Sequence, residues 1–313
     1  MDLVNHLEGR LLFAVPKKGR LQQAALDLLA GSDIQFRRDH RLDIALVKNH
    51  PIALVFLPAA DIPTFVGEGR VDLGITGRDQ ICEHEAVTPP TEDTGAEEVL
   101  DLGFGSCQLQ VQVPKNGPYK EPKDLIGRNI STSFAGLSTK YFEALEAQYA
   151  GAATGDSITS KQLRTKIKYL GGSVEAACAL GVADGIVDLV ESGETMKAAG
   201  LEAIDTVVES KAVLIRSKHP SNPELVDKIA GRIKGVIAAQ RYVTCTYNIP
   251  RKLLPTATKI TPGKRAPTVT ALDEPNWVAV NVMVEKVKIA TVMDDLASCG
   301  AEDILVGNIA NSR

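Results

Sequence analysis

Two stretches of this chain repeat one pattern: a short helical segment, a glycine stop, and an apolar strand entered through an aspartate. Residues 62–77 read as a helix, then Glu68-Gly69, then Val71-Asp72-Leu73-Gly74-Ile75-Thr76-Gly77. Residues 174–190 read as a helix, then Leu180-Gly181, then Ala183-Asp184-Gly185-Ile186-Val187. Aligning Gly69 with Gly181 lays Asp72 on Asp184. Short apolar runs bounded by turn residues are buried strands, and their alternation with helices argues for parallel α/β sheets. A repeat of this unit predicts two α/β halves facing a cleft, as in bilobal binding proteins. Chance similarity of two βα units is the plainer alternative.

The rest of the chain fits that frame. Residues 11–16 form an apolar run expected to be a buried strand. Lys17-Lys18-Gly19-Arg20-Leu21 then opens an amphipathic helix that Gly31 ends. Strands are expected at 43–47, 52–57, 108–114, 129–133 and 166–170, with a helix at 136–148. Residues 149–160, rich in Gly, Ala, Ser and Thr, read as a surface loop. One or two strands within 205–215 are expected to return to the first lobe. A long amphipathic helix at 224–240 then leads into strand, helix, two strands, helix and strand, the βαββαβ order of a ferredoxin-like domain. The expected fold class is therefore α/β: a bilobal, periplasmic-binding-protein-like core plus a C-terminal ferredoxin-like domain. The first lobe is placed at 1–105 with 191–220, the second at 106–190, and the C-terminal domain at 224–313.

Charge and composition exclude several classes. The 35 Lys and Arg are spread along a chain of net charge −4, which lacks the basic footprint of a nucleic-acid binder. Five cysteines stand far apart with no CxxC spacing, and five histidines lack partners at helical spacing, so neither disulfides nor a zinc site is indicated. The apolar run at 52–60 is too short to span a bilayer and contains Pro58. Residues near the start carry charges at Asp2, Glu8 and Arg10 with no apolar core of signal-peptide length. The expectation is a soluble, cytoplasmic protein with neither a nucleic-acid nor a membrane partner. A solute-binding or effector-sensing protein of the same fold would need an export signal or a fused DNA-binding helix pair, and the sequence displays neither.

Two places carry chemistry. In Asp184-Gly185-Ile186-Val187-Asp188-Leu189-Val190-Glu191-Ser192-Gly193-Glu194-Thr195 a strand with two carboxylates runs into a turn of small and hydroxyl residues, then a short helix stopped by Gly200. Backbone N–H groups at such a turn favour a phosphate, and the acids upstream suit sugar hydroxyls or a phosphate-bound Mg²⁺. An ordinary strand–turn–helix, with Ser192 as N-cap and Asp188 in solvent, would use the same residues. Lys17, Lys18 and Arg20 follow a strand's carboxyl end, where open α/β sheets bind ligands. Positive charge at a helix start opposes the dipole, which tilts at least one of the three towards function. Neither GxxxxGK[ST] nor a strand–GxGxxG–helix occurs, so a P-loop and a Rossmann site lack their fingerprints.

The run Glu175-Ala176-Ala177, Leu180-Gly181, Ala183-Asp184 and Ile186 through Thr195, then Ala199-Gly200-Leu201, resembles the signature of ATP phosphoribosyltransferases. Lys17-x-Gly19-Arg20-Leu21, Asp61-Ile62-Pro63, residues 71–77, Lys211-Ala212-x-Leu214-Ile215, residues 262–268 and Met293-Asp294-Asp295-Leu296 agree in order. The resemblance spans nearly the whole chain and is nearest to the long, fungal form.

It implies the first step of histidine biosynthesis: N1 of the adenine of ATP is joined to C1 of phosphoribosyl pyrophosphate, releasing pyrophosphate. ATP is then a nucleophile and needs no P-loop. By this resemblance Glu191, Ser192, Gly193, Glu194 and Thr195 hold the ribose 5-phosphate. Asp184 or Asp188 lies near the ribose hydroxyls or stabilises charge at C1. Lys17, Gly19 and Arg20 meet phosphates of pyrophosphate or ATP, while Glu175, Asp72 and Gly74 belong to the nucleotide side. Mg²⁺ is expected to arrive with the pyrophosphate and to need few protein ligands. The resemblance further implies a homo-hexamer inhibited by histidine bound in the C-terminal domain. The strand Thr244-Cys245-Thr246-Tyr247-Asn248 carries no carboxylate, which leaves the partner of the effector's amine open.

Overall fold

The computed structural model describes residues 7–38, 42–150 and 163–312. The surface loop expected at 149–160 falls almost wholly outside them. In chain order the elements are β1 (Leu11–Pro16), α1 (Gln22–Gly31), β2 (Ile44–Leu46), β3 (Ile52–Leu57), α2 (Ile62–Gly67), β4 (Leu73–Gly77), α3 (Arg78–Val87) and β5 (Ala96–Asp101). There follow β6 (Cys107–Pro114), β7 (Asn129–Thr132), α4 (Ala135–Ala150), β8 (Lys166–Tyr169), α5 (Ala176–Ala179), β9 (Gly185–Val190), α6 (Glu194–Ala198), β10 (Leu201–Ser210) and β11 (Ala212–Ser217). The remainder is α7 (Pro223–Gln240), β12 (Tyr242–Pro250), α8 (Leu254–Ile260), β13 (Thr268–Ala271), β14 (Trp277–Glu285), α9 (Ile289–Ser298) and β15 (Glu302–Asn308).

These elements form two compact units: Met1–Ala25 with Phe36–Val226, and Leu26–Gln35 with Asp227–Arg313. The first unit contains two sheets, ordered β2-β3-β1-β4-β11-β5 and β10-β6-β9-β7-β8. In each sheet the strands entered by the repeated aspartates run parallel to a neighbour: β4 beside β1 and β9 beside β7. The first lobe buries near-continuous apolar strands, as a doubly covered sheet must, whereas β6 of the second alternates polar and apolar residues. Leu11, Phe13, Val15, Leu54, Phe56 and Leu73 are buried in the first; Leu109, Val111, Ile130 and Val187 pack with Phe134 and Phe142 in the second. Truncating a side chain such as Phe142 would cost ~3–5 kcal/mol.

The chain passes between the lobes twice, through residues 102–106 and through Lys211. The return point differs from the sequence expectation, which gave residues from 191 to the first lobe. Strand β10 pairs antiparallel with β6 along Leu201 to Ser210, and Met196 and Ala199 pack against Val174, Ala177, Ile186 and Leu201. The turn after β9 and all of β10 thus belong to the second lobe. Only β11 returns, pairing with β4 and β5.

In the second unit the sheet order β13-β14-β12-β15, antiparallel throughout, is ferredoxin-like. Alternate residues Val243, Cys245, Tyr247 and Ile249 of β12 meet Val278, Val280, Val282 and Val284 of β14 in one buried layer, the period-2 pattern of a half-covered sheet. Residues 26–35, expected in the first lobe, join this unit. Arg232 Nη1 donates to the carbonyls of Ser32 (3.2 Å) and Asp33 (3.4 Å). A Cβ on Gly31 would lie 3.1 Å from Val236 Cγ1. Among the described residues, no helix is long and apolar enough to cross a membrane.

Candidate active site

The carboxyl ends of β1, β4 and β9 converge in the first unit. After β1, Gly19 turns the chain with φ +85° and brings Arg20 inward. Its Nη1 donates to the Gly105 carbonyl, Nη2 lies 3.4 Å from Asp79 Oδ1, and Nε lies 3.5 Å from Glu191 Oε1. One guanidinium therefore ties the first lobe, the crossing at residues 102–106 and the turn after β9. Its planar fork of donors suits such a junction.

Asp79 opens α3 and is only 1% exposed. Its carboxylate accepts from Ser210 Oγ and from Gln80 Nε2 (2.9 Å), and its N–H donates to Ser210 Oγ at 2.9 Å. A buried carboxylate persists only with such partners. Gly77 makes this placement possible, because a Cβ there would stand 2.1 Å from Asp79 Oδ1. Lys18, Gly19, Arg20, Gly77 and Asp79 line a cleft of ≈ 150 Å³ closed by Leu189 from the second lobe.

A second cavity, ≈ 280 Å³, lies on the face of β9 that carries Asp188. Its walls are Gln112, Glu175, Asp188 and the turn Glu191, Ser192, Gly193 and Thr195. Gly193 opens α6 at φ +77°, ψ 3°, a left-handed conformation that costs other residues roughly 1–2 kcal/mol. The first-turn N–H groups of this helix start lack intrahelical carbonyl partners, and Gly193, Thr195 and Met196 line the cavity. Ser192 Oγ accepts from the Glu194 N–H at 3.4 Å. Burial pushes the Asp188 carboxyl above its ordinary value and the charge of Glu175 adds to it, opposed by the Leu189 N–H.

A third cavity, ≈ 660 Å³, opens on the other side of Glu191, Ser192 and Gly193. It is bordered by Gln108, Gln110, Arg78, Lys197 and Lys211. Arg78 forks onto Glu98, and Lys211 pairs with Asp101. Lys197 sits on the first helical turn after Gly193.

The residues expected from the sequence thus divide. Glu175, Asp188, Glu191, Ser192, Gly193 and Thr195 share one cavity, and Gly19 and Arg20 stand at the neighbouring one. Asp184 is elsewhere: it precedes β9, at the opposite end from Glu191. Its Oδ1 accepts from Tyr119 Oη (3.1 Å) and its Oδ2 from the Asn129 N–H (3.0 Å) and Asn129 Nδ2 (3.2 Å). Burial would raise this carboxyl, but those hydrogen bonds and Arg128 outweigh it and hold it below its ordinary value. Of the two aspartates, Asp188 is the one in the cavity.

Asp72 is likewise a fastening, its oxygens accepting the N–H groups of Leu12 (2.7 Å) and Ser221 (2.5 Å). Gly74 is packing: a Cβ would meet Ile62 Cγ2 at 2.6 Å. Lys17 points to Asp43 at 2.6 Å on the surface, and its hydrogen bond lowers that carboxyl; its neighbour Lys18 faces the cleft instead. Glu194 is exposed on α6 and borders none of the three cavities.

Sequence reasoning overlooked Asp79, Arg78, Lys197, Lys211 and Gln112. Gly77-Arg78-Asp79 does carry a signal, a glycine then an acid where a strand becomes a helix, but acids in a first helical turn usually serve the dipole alone. Lys211 lies in a motif of the family resemblance but carries no sign of a site role, and Gln112 carries no signal; strand pairing brings them here. Among the described residues, no group of three or more His, Cys, Asp or Glu could hold a metal ion.

Comparison with known proteins identifies the family. The family profile described as ATP phosphoribosyltransferase matches residues 58–235, and that described as HisG, C-terminal domain, matches residues 239–311. A protein of Yarrowia lipolytica named ATP phosphoribosyltransferase is 60% identical over 313 residues, covering all of both chains. Those of Schizosaccharomyces pombe (56%) and Saccharomyces cerevisiae (53%), with the same name, also match over full length. Among solved structures, the ATP phosphoribosyl transferase (HisG:HisZ) complex from Thermotoga maritima aligns with TM-score 0.57 and 23% identity over 74% of this chain and 98% of its own. That likeness concerns the fold. On the strength of the profile and the full-length fungal relatives, the chain belongs to the ATP phosphoribosyltransferase family.

Proposed function

We propose that the three contiguous cavities around the turn after β9 carry the family's reaction, the condensation of ATP with phosphoribosyl pyrophosphate that opens histidine biosynthesis. The observation that carries this reading is the union of Asp188, Glu175 and the Glu191–Gly193–Thr195 turn in one cavity. The turn holds the sugar's 5-phosphate with first-turn N–H groups and the hydroxyls of Ser192 and Thr195. That places C1 on the Asp188 side of the cavity. Adenine N1 donates its lone pair to C1, the C1–O bond to pyrophosphate breaks, and the base gives up a proton to restore neutrality. The transition state gathers positive charge at the sugar ring, and the Asp188 carboxylate stabilises it at close range. Positioning two substrates in one cleft supplies much of the remainder.

Glu175 and Asp188 would fit a Mg²⁺ carried mainly by substrate phosphates: two carboxylates line one cavity, and the charge of Glu175 helps to raise the Asp188 carboxyl. When bound, the ion neutralises the leaving pyrophosphate. Arg20 and Lys18 approach the same phosphates from the first lobe. The ferredoxin-like unit takes the regulatory role, with histidine as inhibitor and a hexamer as the assembly that couples the sites. A cytoplasmic setting suits such a biosynthetic step.

The test is direct. Full-length protein mixed with ATP, phosphoribosyl pyrophosphate and Mg²⁺ should generate the product's ultraviolet absorbance, and folded protein without turnover would refute the reading. Histidine should inhibit without competing with either substrate, because its site lies in a different unit. Competitive inhibition would overturn the regulatory part.

A further inference from the structure

Helix α3 is fastened to both lobes, and one of its side chains makes a bond that the reaction chemistry leaves unexplained. Ile81 belongs to the first-lobe core, and His84 Nδ1 meets Thr64 Oγ1 of α2 at 3.2 Å. On its other side, Asp79 is bonded to Ser210. One turn further on, Glu83 reaches across to the second lobe. Its Oε1 accepts the Gly136 N–H and its Oε2 the Leu137 N–H, both at 2.8 Å. These are successive first-turn donors of α4, a helix of 16 residues, so one carboxylate satisfies two otherwise orphan groups and meets the positive end of the helix dipole.

The approach of the two helices is as close as the backbone permits. A Cβ on Gly136 would lie 2.8 Å from Val87 Cγ2, 3.1 Å from Ala86 Cβ and 3.3 Å from the Glu83 carbonyl. Glu83 and Asp79 are four residues apart on one helix, about 6 Å along its axis. Any tilt of α3 against α4 is therefore passed to Asp79, and through it to Arg20 and the turn at Glu191. Beside the two chain crossings, the Asp79–Ser210 bonds and the Arg20–Glu191 pair, this contact also holds the lobes together.

We propose that Glu83 is a positioning residue: by capping α4 across the lobes it sets the cleft aperture at which Arg20 and Asp79 meet the turn after β9. The kinetic part rests on the reading that this cleft carries the reaction; the structural part does not. In the full chain, Glu83→Ala should raise KM for both substrates on the order of tenfold, with a smaller fall in kcat. Glu83→Gln, which keeps one acceptor oxygen, should fall between it and the native protein. Gly136→Ala keeps the carboxylate but sets a methyl against Val87, Ala86 and the Glu83 carbonyl, and should reproduce part of the KM effect. Adding Val87→Ala, at an exposed position, removes the methyl it strikes and should recover at least half of the loss.

Hydrogen exchange supplies a readout independent of turnover. The Gly136 and Leu137 amides should be protected in the native protein and exchange rapidly in Glu83→Ala, together with residues 102–106. Amides that stay protected in Glu83→Ala would overturn the clamp itself. Exposed amides with both KM values within twofold of native would overturn its positioning role, as would Gly136→Ala without rescue by Val87→Ala.

Discussion

The two lobes of the first unit build the same device and put it to different ends. In the first, Gly69 (φ +70°) turns the chain, the Asp72 N–H donates to the Leu12 carbonyl at 2.9 Å, and the Asp72 carboxylate accepts the Leu12 N–H. In the second, Gly181 (φ +68°) turns it, the Asp184 N–H donates to the Asn129 carbonyl at 2.8 Å, and the Asp184 carboxylate accepts the Asn129 N–H. Each aspartate staples the start of a strand to its parallel neighbour. The difference lies at the other end. β4 runs through Gly77 into a ten-residue helix whose first acid is buried, whereas β9 runs through a left-handed glycine into a five-residue helix whose first turn is open. Repeated acids are thus scaffold, and the cavity-lining acid and turn residues gather where the repeat breaks down.

Five experiments can break or sharpen that contrast. The largest effect is expected at the non-repeated turn. Gly193→Val forces a β-branched residue into the left-handed region and displaces several phosphate donors at once. It should lose more than the roughly 10²–10³-fold that a single charge-stabilising group supplies, read as initial rates of product formation. Near-native rates would remove the turn from the site.

Asp188→Asn keeps shape and removes charge, and should cost ~10²-fold in kcat with an unchanged melting temperature. If activity survives and the melting temperature falls instead, Asp188 belongs with the staples. The staples themselves should behave in the opposite way. Asp72→Asn and Asp184→Asn each weaken hydrogen bonds to a carboxylate, part-buried at Asp72 and more exposed at Asp184, at a cost of about 1–3 kcal/mol in unfolding free energy, with KM values unchanged.

Asp184 adds a pH signature to that stability. Its carboxyl is held below the ordinary value when folded, so its contribution is complete above the unfolded pKa and is lost as pH falls through the folded one. Denaturation curves of Asp184→Asn should therefore lose part of the native protein's acid sensitivity.

The smallest effect tests Glu175. Because burial and Glu175 both raise Asp188, the acid limb of the kcat/KM profile should lie above the usual carboxylate range. Glu175→Gln removes one of those causes, and the limb should move to lower pH. A limb that stays in place would mean that the two carboxylates do not sense each other.

Much of this molecule was legible from local rules. Strands at 11–16 and 52–57, the βαββαβ tail, and the strand–turn–helix around Gly193 appear where periodicity, glycine stops and turn chemistry put them. The repeat also led somewhere true, since its alignment of Asp72 with Asp184 corresponds to one hydrogen-bonding pattern used twice. What it could not convey is which end of a strand faces the cleft. A carboxylate at the entry of β9 and one two residues before its end look alike in a line of letters, yet the strand's length separates Asp184 from the turn that Asp188 adjoins.

The amino-acid order alone determined the element types, the left-handed glycines and the clustering of small hydroxyl residues after β9, because these follow from backbone sterics and burial within a few residues. Tertiary structure alone decided that β10 closes the second sheet, that residues 26–35 leave the first lobe, and that Arg20, Asp79, Ser210 and Glu191 meet. Those outcomes depend on strand pairing and on a buried charge finding partners 59 and 131 positions away, where local propensity carries no information.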